Sequence, residues 1–209
     1  MKTTSILPLL LLAANMVSAG AIFLPGNNPQ TDEPVLFHDS CTGCVDGPAN
    51  TVIGHLQSSD ILVDLNSTNQ LVAVDPGHNA VSTPGDAGFN NLSIVLPGYT
   101  FTSIILQLSE LSSVTDGTVI FTAHTLADGN FTSSVLPVSH TGGGQNFYTI
   151  TTNSGTLITQ LDLSTSLLQH DVSQIRIGGA AGAVPEPASY GMVGTALVAL
   201  IFFRSRLGR

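Results

Sequence analysis

Short runs of apolar and β-branched residues, each closed by a turn signal, fill the chain between its two ends and leave little room for helices. The runs are Ile61–Leu65, Leu71–Val74, Leu92–Leu96, Thr100–Leu108, Thr118–His124, Phe147–Thr152, Leu157–Leu163 and Val172–Ile177. Period-two alternation marks several of them as half-buried strands. In Thr118–His124, Val119, Phe121 and Ala123 point one way and Thr118, Thr122 and His124 the other. In Val172–Ile177, Ile175 and Ile177 share a face opposite Gln174 and Arg176. Turn signals separate the runs: Asn66-Ser67-Thr68-Asn69, Asp116-Gly117, Asp128-Gly129, Gly142-Gly143-Gly144 and Asn153-Ser154-Gly155. Asp-Gly between alternating runs marks a hairpin, because both positions tolerate positive φ.

This pattern predicts an all-β fold, an antiparallel β-sandwich of jelly-roll type over residues 35–178. Ser164–His170 reads as a short helix, and residues 20–34 as a loop or linker, since Phe23–Pro34 is rich in Pro, Gly and Asn. One run is anomalous. Tyr99 and Phe101 are apolar at odd positions, but Ile104, Leu106 and Leu108 at even ones. A β-bulge near Ser103, or a strand buried on both faces, accounts for the change of phase.

Charge narrows the function. The chain of 209 residues carries five Lys and Arg against fourteen Asp and Glu. Lys2, Arg204, Arg206 and Arg209 lie close to the termini, so residues 20–187 hold all fourteen acids and Arg176 alone, a balance of 1 − 14 = −13. Nucleic acid is excluded as a partner, because a basic face is needed to displace counterions from phosphates. Lysine chemistry is disfavoured for the same reason.

The ends read as addresses. Lys2, the apolar run Ile6–Ala14 and the Val17-Ser18-Ala19 ending form a secretory signal peptide over residues 1–19, cleaved after Ala19. Its helix is too short for a span of about 20 residues. At the other end, residues 179–187 form a Gly/Ala/Pro linker carrying Pro185, Glu186 and Pro187. An uncharged stretch, Ala188–Phe203, follows as a transmembrane helix, and 204–209 form a cytoplasmic tail with Arg204, Arg206 and Arg209. This order of Pro-Glu-Pro, short helix and arginine cluster resembles the PEP-CTERM sorting signal of exported bacterial proteins. The resemblance covers about the last 25 residues. It implies the Sec export machinery and an exosortase-type membrane transpeptidase as partners. The precursor would be single-pass in the inner membrane, and the mature form at the cell surface or extracellular. The prolines fix φ and hold Val184 and Glu186 extended, a conformation that a membrane-embedded enzyme can bind along its backbone.

Candidate chemistry in the ectodomain is sparse. Cys41 and Cys44 in an exported chain read as a local disulfide. The alternatives are a redox pair, which lacks a helix N-terminus to stabilise its thiolate, and zinc held with His38 and His55. His38, His55, His78, His124, His140 and His170 show no metal-binding spacing, and each reads as a solvated or turn histidine. Asp60 with Asp64, or Asp162 on the polar face of its strand, are the carboxylates available for glycoside hydrolysis or for calcium, the one cofactor the composition admits. No other metal or cofactor is expected. Trp is absent, which removes the usual aromatic platform for sugars.

The expected function is adhesion or binding to exopolysaccharide or matrix, without catalysis. The alternatives are a secreted hydrolase such as a glycosidase, and a plain single-pass anchored structural protein. Carboxylate repulsion within the −13 segment predicts a melting temperature that rises in mild acid or with added calcium. Thermal scans that show it falling under both conditions would contradict that expectation.

Overall fold

A computed structural model describes residues 20–37, 41–74, 79–111, 115–140, 146–153 and 155–183. The expected signal peptide (1–19), Pro185, Glu186, Pro187, the apolar stretch 188–203, Arg204, Arg206 and Arg209 all lie outside the described residues, as do His38 and His78. Among the described residues no helix is long and apolar enough to cross a membrane.

The described chain is all-β and antiparallel. Its strands are β1 (Ala21–Pro25), β2 (Asp32–Leu36), β3 (Ala49–Leu56), β4 (Leu62–Ala73), β5 (Val81–Ser82), β6 (Phe89–Val95), β7 (Tyr99–Thr100), β8 (Ser103–Glu110), β9 (Gly117–Thr125), β10 (Asn130–Thr132), β11 (Leu136–Val138), β12 (Phe147–Thr152), β13 (Ile158–Gly178) and β14 (Ala181–Gly182). A single 3-10 turn, Pro84–Asp86, precedes β6.

β13 organises the rest. Its first half pairs with β6 on one side and β9 on the other. Its second half pairs with β8 on one side and with β5 and β2 on the other. The pairings β13–β6, β6–β4, β4–β3, β3–β2 and β2–β13 form a closed circuit. Inside lies one apolar cluster, with Phe89, Phe101, Phe121 and Tyr148 among its largest members. The Phe121 and Tyr148 rings meet at 5.2 Å between centroids.

Several expectations are corrected here. Ser164–His170 is extended, not helical, and Leu157–Leu163 and Val172–Ile177 are parts of one strand of 21 residues. Neighbouring strands on both sides supply the backbone partners that a local helix would otherwise provide, so tertiary pairing overrides propensity. The strand accommodates the change through register shifts between Ser164 and Gln169 and between Ser173 and Arg176, where Gln174 takes φ 53°. The stretch 23–34 is not a free linker. It contributes to β1, which pairs with β12, and to β2, which pairs with β13. Between them the chain crosses the outer face of the sheet, where Asn28 N–H donates to Thr149 Oγ1 at 3.0 Å and Thr149 donates to Gly26 O at 2.9 Å. That crossing lies over the outer side of β12 and β8, where Thr149 and its register partner Ile105 are fully buried.

Asn66–Asn69 does not end a strand, because β4 runs through it. Three extra residues of β4 bulge out opposite β3, between the pairs Thr51↔Asn66 and Ala49↔Leu71. The amides of Asn50 and Asn91 satisfy the bulge, Asn50 Nδ2 donating to Ser67 O and Thr68 O, each at 3.0 Å. The phase change in Tyr99–Leu108 marks a change of sheet: β7 pairs with β14, Phe101 bridges to Ile158, and β8 then joins β12 and β13. Ile104, Leu106 and Leu108 face the core while Ile105 is buried on the opposite side, so this segment is covered on both faces. The alternation of Thr118–His124 and of Ile175 and Ile177 is observed as expected.

Glu110 continues the inward face of Ile104, Leu106 and Leu108 and ends the core with a carboxyl group. Both its oxygens are shielded from water and neither makes a well-aligned hydrogen bond. Burial pushes its pKa up, the Gly117 amide pulls it back, and nearby Asp116 raises it again. A carboxyl whose folded pKa is raised contributes stability at low pH and loses it as pH rises through the folded value. Glu110→Gln should therefore raise the melting temperature near neutral pH by roughly 2–4 °C, about 1 kcal/mol in a domain of this size. The gain should disappear in acid, as thermal scans at several pH values will show.

Candidate functional site

Strand register assembles the site on the outer face of β3, β4, β6, β13, β9 and β10. Thr51 pairs with Asn66, Asn66 with Ser93, Ser93 with Asp162, Asp162 with Thr122 and Thr122 with Thr132. Directly paired residues of antiparallel strands point to the same face, so six polar side chains stand in one row across six strands. At about 4.8 Å per strand the row is about 24 Å long.

Hydrogen bonds hold much of the row in place. Thr51 Oγ1 donates to Asn66 Oδ1 at 2.6 Å, and Thr122 and Thr132 share a hydroxyl–hydroxyl bond of 3.2 Å. At the centre, Asp162 Oδ1 accepts from Gln160 Nε2 at 2.7 Å and Oδ2 accepts from His124 Nε2 at 2.7 Å. Burial alone would raise the pKa of Asp162, but bonds from Gln160, Ser93 and His124 outweigh it and hold the carboxyl below its usual range. It is ionised at neutral pH, so its oxygens act as acceptors.

The β4 bulge stands along one side of the row. It forms, with β6 and β13, a groove of about 420 Å³ lined by Asn66, Ser67, Thr68, Asn91, Ser93 and Asp162, with Leu92 and Leu163 beneath. Asn91 fixes the bulge, accepting from Thr68 N–H at 3.0 Å and donating from Nδ2 to Thr68 Oγ1 at 2.7 Å. The groove therefore presents hydroxyls, carboxamides and one carboxylate. Asp64, on the same face and one residue pair along, has its pKa raised by burial. Arg176, the one Lys or Arg among the described residues, lies on the other half of β13, paired with Ile105 and Pro34.

The other residues singled out from sequence scatter. Cys41 and Cys44 are joined as a disulfide with Cα atoms 5.5 Å apart. All four described histidines lie against aspartates; His55 is buried, and His124, His140 and His170 are partly exposed. His55 meets Asp60 at 3.4 Å, His140 meets Asp116 at 2.7 Å, and His170 bridges Asp171 at 2.9 Å and Asp86 at 3.2 Å. The hydrogen bond that His170 donates to Asp171 leads in raising the His170 pKa. Asp60 faces His55 at a turn. Among the described residues no group of three or more His, Cys, Asp or Glu side chains is placed to hold a metal.

Asp162 was singled out from sequence, but Asn66, Asn91, Ser93, Thr122 and His124 were not recognised as its companions. Alternation shows which face a side chain takes, whereas register decides its neighbours across strands far apart in sequence. The chain matches no family model, no curated protein and no solved structure.

Asp162→Asn keeps the shape but replaces a three-bond carboxylate. A folded pKa below the unfolded value gives stability that is present above the unfolded pKa and lost as pH falls through the folded one. The variant should lose about 1 kcal/mol near neutral pH. Its denaturation midpoint should also fall less steeply as pH drops below about 4, as urea titrations in acid will measure.

Proposed function

We propose that this chain is an exported bacterial surface protein, sorted by its Pro-Glu-Pro tail, whose folded domain binds a neutral, hydroxyl-rich polysaccharide of the envelope or matrix. The domain is a β-sandwich of jelly-roll kind. The two halves of β13 belong to its two layers, a reading supported by the different strand partners of each half around one core.

The observation that carries the binding reading is the six-strand polar row with its groove. Sugars offer hydroxyls that both donate and accept, and Asn, Ser, Thr and Gln side chains match them in both senses. The acidic field of a segment with one base disfavours polymers bearing carboxylate, sulfate or phosphate. Binding is favoured over hydrolysis because both oxygens of Asp162 are already engaged by Gln160 and His124, which leaves no free base there. Without exposed aromatic rings in the groove, affinity rests on many weak contacts along a chain, which suits polymers rather than monosaccharides.

A glycan array probed with the exported chain should give signals for neutral polysaccharides and none for uronic-acid or sulfated ones. Asn91→Ala, which loosens the bulge, should lower the retained fraction about tenfold, a loss of about 1.4 kcal/mol. A blank array, or equal retention by the variant, would count against this assignment. For the tail, replacing Pro185, Glu186 and Pro187 with alanine should leave an unprocessed precursor in the membrane fraction. Unchanged mass and location would remove the sorting reading.

A further inference from the structure

The residues after β13 are not a free tether. Gly178 and Gly179 press against Ser103, Thr31 and Thr102 so closely that a Cβ at either would collide, and Gly179 takes φ 65°. These two glycines tie the end of β13 to the domain. Beyond them Ala181 pairs with Thr100 and Gly182 with Tyr99, and Ala183 N–H donates to Gly98 O at 2.9 Å. The receiving side is rigid. Leu96-Pro97-Gly98-Tyr99 closes with Tyr99 N–H donating to Leu96 O at 2.9 Å, and Gly98 has φ 78°, a turn that Pro-Gly favours. The strand laid on it is weak by contrast. Ala181 and Gly182 are exposed and offer no side chain larger than a methyl group.

We propose that β14 is a clasp: paired with β7 it shortens the free chain that leads to the sorting segment, and it must peel away before the tail can be processed. This rests on the sorting reading above. Gly178 lies five residues before Ala183, the last residue held by the pairing. At no more than about 3.6 Å per residue, peeling β14 away adds up to about 18 Å to the reach of the segment that follows. A membrane-embedded enzyme that binds an extended backbone around Pro-Glu-Pro needs the longer reach, because the folded domain otherwise occupies the same space. The glycines at 178 and 179 limit the opening to the last residues and keep β13 paired.

The register supplies the test. Ala183 bonds to Gly98, so the next pair, Gly182 and Tyr99, is a non-hydrogen-bonded one, with Cα atoms close enough for a disulfide. A Cβ at Gly182 meets open space. The full chain carrying Tyr99→Cys and Gly182→Cys is expressed in a bacterium that processes the parent, and pulse-chase with mass spectrometry follows loss of the tail. The crosslinked precursor should persist at least about fivefold longer than either single-cysteine chain, and a permeant reductant should restore processing. Ala183→Pro, which removes the donor to Gly98, should be processed faster than the parent. Processing of the crosslinked chain at the parent rate would overturn the clasp, and so would failure of the disulfide to form in the exported chain. Failure of the sorting reading looks different: the parent itself would keep its tail, or lose it regardless of alanines at Pro185, Glu186 and Pro187, and the clasp would fall with it.

Discussion

The structure depends on one strand having partners on both sides along most of its length. β13 runs for 21 residues, and its two halves face different neighbours. A strand that long cannot keep one inward phase while serving two sets of partners, so its inward residues shift from Leu161, Leu163 and Thr165 to Val172 and then to Ile175 and Ile177. The register breaks perform those shifts, and Gln174 takes a left-handed backbone to complete the last one. Remove β13 and the circuit through β6, β4, β3 and β2 opens, exposing the apolar cluster it encloses.

Charge is handled by an uncommon route. With Arg176 as the only permanent cation among the described residues, the domain sets histidines against aspartates: His55 with Asp60, His124 with Asp162, His140 with Asp116, and His170 with Asp86 and Asp171. Such pairs become full ion pairs only when the imidazole is protonated. Hydroxyls and carboxamides add uncharged polar groups, and along the polar row Thr51 bonds Asn66 and Thr122 bonds Thr132. The same chemistry that keeps the sheet face solvated makes it a surface suited to sugars, and Asp162 is where the two themes meet.

Legibility from sequence followed the range of the interaction. Thr118–His124 could be read residue by residue, because alternation is local and β9 has one buried face. Asn66-Ser67-Thr68-Asn69 is turn chemistry, and the chain does depart from regular pairing there, but as a bulge held by Asn50 and Asn91 from other strands. Ser164–His170 carries a locally helical composition that three neighbouring strands override. The Gly/Ala stretch after Gly178 resembles a linker in composition, yet its small residues are what let it lie against Thr102 and β7. For the candidate site, the polar face of each strand was readable, but the row was not. It brings together Thr51, Asn66, Ser93, Thr122, Thr132 and Asp162, and only register joins residues so distant in the chain.

If β13 is the shared element on which both sets of strands depend, its two halves must open together. Native-state hydrogen exchange resolved by residue measures this directly, since amides released only by global unfolding share one opening free energy. The amides of Leu161, Leu163, Val172, Ile175 and Ile177 should exchange slowest and with a common free energy equal to that of unfolding. Exchange of Leu161 and Leu163 through a separate, lower-energy opening, with Val172 to Ile177 still protected, would contradict a single spine and leave two independently stable layers in its place.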